Sequence, residues 1–208
     1  MLIDIFGWAA GAFGVALGIT QLRRLLSSRS VAGISLLMWQ LYFGVQVGWI
    51  AHGLIENNQP MIWASLACVI MSTIVLFFYN KYKSNTRRVS NKSLFGMAIF
   101  WAVVFTLVAW KTSAEVKGLI FIFPTTFGQI HQLIKIHQAH NLSGLSPTML
   151  LIYVFNQSLL LSWSFFLHDR TLMITSTTSI LILMISLVRF YYKIKSLYKT
   201  RKDRLKKH

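Results

Sequence analysis

The sequence predicts an all-α membrane protein of seven transmembrane helices, built as two parallel three-helix repeats joined by a linker helix (3+1+3). Three observations predict it. Apolar runs of about 17–22 residues recur along the chain, the length that crosses a hydrocarbon core of roughly 30 Å. Of 208 residues, 55% are hydrophobic and only five are acidic, too little charge for the surface of a soluble domain. Finally, Gly18–Ser35 and Gln129–Ser146 match each other in one ungapped register, the mark of an internal duplication.

The register is fixed by an offset of 111, which sets Gln21 on Gln132, Leu22 on Leu133, Gly33 on Gly144 and Ser35 on Ser146. It runs on without a gap, setting Tyr42 on Tyr153 and Gln46 on Gln157.

Taken in order, the spans are predicted at Phe6–Leu22, Ile34–Leu54, Met61–Tyr79, Leu94–Trp110, Gly118–Ile136, Thr148–Leu167 and Leu172–Tyr192. Met1–Phe6 carries Asp4 and no basic residue, so it is expected to stay with the first span rather than act as a cleaved leader. Residues 6–83 form the first repeat, 94–110 the linker span, 118–192 the second repeat and 193–208 a basic tail.

Basic residues set the orientation. Arg23, Arg24 and Arg29 follow span one; Lys81, Lys83, Arg87, Arg88 and Lys92 follow span three; a Lys/Arg-rich tail follows span seven. The alternate loops hold Glu56, then Lys111, Glu115 and Lys117, then Asp169 and Arg170. Positive charge marks the cytoplasmic side, so the N-terminus is expected outside and the C-terminus inside. The loop after span five is the thinnest support, with Lys135 aided by His137 and His140. An odd number of spans follows, because two repeats that both start outside need one extra crossing between them.

Several function classes drop out. The single Cys68 lies in an apolar run, so no disulfide framework is available. The net charge of +16 sits in loops and tail as a topology signal, which excludes nucleic acid as a partner. No metal-ligand spacing, no nucleophile with its base and no phosphate-cradling glycine loop occurs, so neither an enzyme nor a cofactor is expected.

Polar residues inside the spans are the candidate site. Tyr42, Gln46, Trp49 and Gly53 share one face of span two; Tyr153, Gln157 and Ser164 share the matching face of span six, with Asn156 and Trp163 beside it. Uncharged amides in hydrocarbon need partners, so Gln46, Asn156 and Gln157 either line a wet cavity or tie helices together. Ser65 and Ser176 form another pair at the offset of 111, with close helix packing as the alternative role. Glycines at 7, 11, 14 and 18, and at 44 and 48, make narrow ridges suited to close packing. No carboxylate lies within a span, which favours passive movement of solute over proton coupling.

The paired stretches resemble the PQ-loop repeat, in which a Pro-Gln pair near a helix end precedes a basic loop and a Gly-hydrophobic-Ser motif. The plan resembles the SWEET sugar transporters and their half-size SemiSWEET relatives, over roughly Trp8 to Tyr192. The proline of the pair is replaced by Thr20 and His131, while Pro147 matches a family proline. The resemblance implies hinge and gate roles for Thr20, Gln21, His131, Gln132, Pro124 and Pro147. It also implies substrate contact at Trp49, in the place of a family Trp, and at Ser65 and Ser176, in the place of paired sugar-binding Asn residues. The implied function is passive, bidirectional movement of a small neutral solute, a sugar above all, by alternating access. Two readings stay open beside it: a proton-linked carrier of amino acids or other metabolites, with His52 or His131 titrating, and a seven-span receptor or assembly factor that moves nothing. The expected setting is a multi-pass protein of the plasma (inner) membrane with lipid as neighbour; self-association into a homo-oligomer is left open.

Overall fold

The computed structural model describes residues 2–83, 90–111, 114–168 and 170–205. Arg87, Arg88, Asp169, Lys206 and Lys207, used above to orient the chain, lie outside the described residues, as do the side chains of Asp4, Lys92, Glu115, Lys117, Arg170 and those from Tyr198 onward. Among the described residues there are seven helices: α1 Leu2–Ser28, α2 Leu36–Ile55, α3 Gln59–Tyr82, α4 Asn91–Lys111, α5 Ala114–Gln138, α6 Pro147–Leu167 and α7 Arg170–Leu205.

Each helix contains its predicted span apart from boundary shifts, and most run further. The largest extension is α7, whose helix continues to Leu205, so the basic segment begins as a continuation of the last span. Lys193 Nζ donates to His137 O at 3.1 Å, which satisfies one of the free carbonyls at the end of α5.

Local chemistry sets the starts. Ser35 and Ser146 cap α2 and α6 alike, each Oγ accepting from the backbone N–H three residues on, Met38 at 3.0 Å and Met149 at 3.2 Å. Asn58 caps α3 in the same way, through Met61 N–H at 3.1 Å, with Pro60 in the first turn.

Among the described residues, five helices are long and apolar enough to cross a membrane: α1, α3, α4, α6 and α7. The other two, α2 and α5, carry Gln40, Gln46 and His52, and Gln129, His131 and Gln132, which lower their mean hydropathy. They pack against each other and against other helices, and Gln40, Gln129 and Gln132 are buried in protein rather than facing lipid. Elsewhere the surface is apolar: Trp8, Ile70, Phe77, Phe100, Leu107, Phe123, Leu181 and Ile185 are all exposed. The chain is therefore an integral, multi-pass helical membrane protein.

α3 packs on both α1 and α2, and α7 packs on both α5 and α6. Between these two groups, α1 meets α6 and α2 meets α5, while α4 leans on α2. Small residues permit the close approach of α4 to α2. A Cβ on Gly44 would stand 2.5 Å from Trp101 Cβ and one on Gly48 2.7 Å from Phe105 Cβ, so that glycine pair seats α4. Gln40 adds a polar tie, Nε2 donating to Leu94 O at 3.0 Å.

Candidate functional site

The two matched stretches meet, and they do so by exchange. Gln21, at the end of α1, reaches the loop before α6: its Nε2 donates to Gly144 O at 2.8 Å, and its Oε1 accepts from Ser146 N–H at 3.2 Å. Gln132, at the end of α5, reaches the loop before α2: its Nε2 donates to Gly33 O at 2.5 Å, and its Oε1 accepts from Ser35 N–H at 2.8 Å. Each amide thus satisfies one donor and one acceptor of the other repeat's Gly-x-Ser. Both side chains are buried, at 0% and 2% exposure, where an unmatched amide is costly. This end of the molecule is latched by both repeats.

Glycine is required in both loops. Gly33 has φ +83, and a Cβ there would lie 2.7 Å from Leu142 Cδ2. At Gly144 a Cβ would collide with Ser30 O, which is backbone and cannot give way. Ser143 Oγ also donates to Ser30 Oγ at 3.0 Å, so the loops lie directly on one another.

The latch has one asymmetry. His131 Nδ1 lies 2.7 Å from Ser35 Oγ, whereas its counterpart Thr20 donates to Leu17 O of its own helix at 3.0 Å. Of the other predicted hinge residues, Pro124 lies inside α5, and Pro147 opens the first turn of α6, where it removes no helical hydrogen bond.

Behind the latch lies a narrow cavity between the two helix groups. Its walls are Leu17 of α1; Met38, Trp39 and Tyr42 of α2; Pro124, Thr125 and Gly128 of α5; and Met149 and Tyr153 of α6. It has room for only about one or two water molecules. Tyr42 and Tyr153, paired by the offset of 111, face it from opposite repeats. A Cβ on Gly14 would lie 3.5 Å from Tyr42 Oη, 2.9 Å from Cys68 Sγ and 4.0 Å from Asn156 Nδ2, so four helices converge beside the cavity.

The predicted substrate residues are dispersed about this centre. Asn156 is buried and donates to Ala10 O at 2.6 Å, tying α6 to the backbone of α1. Gln157 is buried and Gln46 half-buried, each about one turn beyond its repeat's tyrosine. Ser65 and Ser176 are buried and do not line the cavity. Trp49 lies in an aromatic junction of α2, α4 and α5, its ring 4.8 Å from that of Phe121, which in turn is 5.8 Å from Phe105. Trp163 is buried beside Gly7 of α1. Leu17, Met38, Trp39, Thr125, Gly128 and Met149, absent from the sequence-derived set, are placed at the cavity by tertiary packing; there the offset of 111 pairs not only Tyr42 with Tyr153 but also Met38 with Met149 and Leu17 with Gly128.

Against known proteins, no family model matches the sequence. A rat (Rattus norvegicus) protein described as sugar transporter SWEET1 is 24% identical over 187 residues, covering 84% of this chain and 82% of that one. A solved structure of a eukaryotic SWEET transporter superposes with a TM-score of 0.62 at 12% identity, covering 94% of this chain and 100% of that one. This protein is a multi-pass helical membrane protein that has the fold of a SWEET transporter and resembles the SWEET sugar transporters in sequence.

Proposed function

We propose that the chain is a membrane facilitator that moves a small neutral solute, a sugar above all, passively and in both directions by alternating access. Residues 6–83 and 118–192 act as two parallel three-helix repeats, and residues 94–110 are the linker that lets both start on the same side. The observation that carries the proposal is the crosswise bonding of Gln21 and Gln132, which holds the repeats together at one end of a central cavity. A latch of neutral hydrogen bonds can open when solute binding in the cavity makes the other end the better one to close. Likeness to a protein described as a sugar transporter supports sugar as the cargo.

The latched end carries Arg23, Arg24, Arg29, Lys81, Lys83 and Lys193, which supports a cytoplasmic position and an N-terminus outside, in a plasma (inner) membrane. Tyr42 and Tyr153 make the first contacts with cargo, ring face to the apolar side of the solute and hydroxyl to its polar edge. Gln46 and Gln157 complete the path one turn beyond. Uptake of a panel of labelled neutral solutes by proteoliposomes, with and without a pH gradient, tests this. Saturable uptake of a sugar that is indifferent to the gradient is expected; failure of every sugar removes that cargo.

A second reading, a proton-linked carrier, is favoured by the contact of His131 with Ser35 in the latch. It requires uptake to rise with an acid-outside gradient and to lose that dependence in His131→Ala.

A further inference from the structure

Tyr42 and Tyr153 face the central cavity from equivalent places in the two repeats, yet what stands behind them differs. The Tyr42 hydroxyl bonds the thiol of Cys68, on α3. Both groups crowd Gly14 of α1, where a Cβ would lie 3.5 Å from the Tyr42 oxygen and 2.9 Å from the Cys68 sulfur. The Tyr153 hydroxyl and the side-chain amide of Gln129, on α5, are likewise hydrogen-bonded. Cys68 and Gln129 are 3% and 1% exposed, and neither belongs to the cavity wall.

The two supports are not copies of each other. The offset of 111 carries Cys68 to Ser179, and it carries Gln129 back to Gly18, which has no side chain to offer and lies against Met71. The tyrosines were kept in both repeats while the group behind each one changed. Gln129 serves no other purpose in sight: among the described residues, its amide has no hydrogen-bond partner besides Tyr153.

A phenol carries one O–H and two lone pairs, so a single bond from behind leaves bonding capacity toward the cavity. That bond also holds the hydroxyl in one orientation. An unheld hydroxyl would lose freedom each time a solute bound, and the loss weakens binding. We propose that Gln129 and Cys68 are positioning residues, which hold the Tyr153 and Tyr42 hydroxyls ready for a hydroxyl-bearing solute without touching it themselves. The inference rests on the cavity being the path of the solute.

Because each support serves one tyrosine, a crossed double-mutant cycle separates positioning from packing. Half-saturation is measured for uptake of labelled glucose and sucrose by proteoliposomes holding the full chain. Gln129→Met keeps the bulk and removes the amide. It should raise half-saturation about threefold where Tyr153 is present and leave it unchanged in Tyr153→Phe. In Tyr42→Phe the two effects should multiply. Cys68→Ala should mirror this, with a rise of about threefold beside Tyr42 and none in Tyr42→Phe. Cys68→Ser restores a bonding partner and should stay within about twofold of wild type. For either residue, an equal rise with and without its tyrosine hydroxyl means packing and overturns its assignment, as does no rise at all. The Cys68 variants carry the test where Gln129→Met does not fold. Absence of uptake by the wild type is a different result, which removes the solute path and this inference with it.

Discussion

Gln21 and Gln132 stand 111 positions apart, and each bonds the Gly-x-Ser of the other's repeat. Each amide bridges a glycine carbonyl and a serine N–H across the boundary, at 2.5–3.2 Å. The duplicated motif is thus a self-complementary clasp, closed only when two copies meet. Removing one glutamine leaves a buried carbonyl and a buried N–H unmatched, so Gln21→Leu and Gln132→Leu should each destabilise the closed state by about 1–3 kcal/mol. Thermal unfolding in detergent should show a fall of several degrees for each, on the scale expected for a chain of about this length. No fall in either variant would mean that the clasp contributes nothing.

The loops that receive these bonds have no room for a side chain. Gly144→Ala places a methyl against the Ser30 carbonyl, and Gly33→Ala adds a methyl at φ +83 beside Leu142. Both should lower the yield of folded protein sharply, with a cost of roughly 1–3 kcal/mol or more. Gly96→Ala is the control, since nothing lies within 4 Å of the added atom, and its yield and melting should match wild type.

Asn156 separates the two roles open to an intramembrane amide. Its bond to Ala10 O fixes α6 on α1. Asn156→Leu should therefore lower stability by about 1–2 kcal/mol while half-saturation for solute stays within about twofold. Normal melting with a large rise in half-saturation would move Asn156 into the substrate path.

The tyrosine pair should behave oppositely. Tyr42→Phe and Tyr153→Phe keep the packing ring and remove only the hydroxyl. If each hydroxyl holds the solute by one hydrogen bond, affinity should fall by up to about tenfold, the equivalent of ~1.4 kcal/mol. Half-saturation in uptake assays with each variant checks this.

Much of the fold was legible because the duplication kept its spacing. Ser35 and Ser146 stand at the same offset as the glutamines, and the structure uses them identically, as helix caps. What could not be read was the exchange: nothing local to Gln21 says that its partner is Gly144 rather than Gly33, since that follows from how the repeats dock. Helix ends were also obscure. The apolar run of the last span stops near Tyr192, but Lys and Arg are good helix formers, and α7 continues to Leu205. Trp49 shares a helix face with Tyr42 and Gln46, yet its ring is taken up by Phe121. Spacing on one helix cannot show what α4 and α5 bring against it. Likewise the ridge at Gly44 and Gly48 announces a close approach without naming α4 as the helix that makes it.

Movement of solute through the space closed by Gln21 and Gln132 is open to entrance counterflow. Proteoliposomes preloaded with unlabelled glucose or sucrose and diluted into trace labelled sugar should accumulate label transiently, faster than protein-free liposomes, and without a pH gradient. Gln21→Leu/Gln132→Leu should change the rate of that accumulation without abolishing the specificity for the sugar. Absence of counterflow for every mono- and disaccharide tried, in protein that is folded and correctly inserted, would show that the protein does not move sugar.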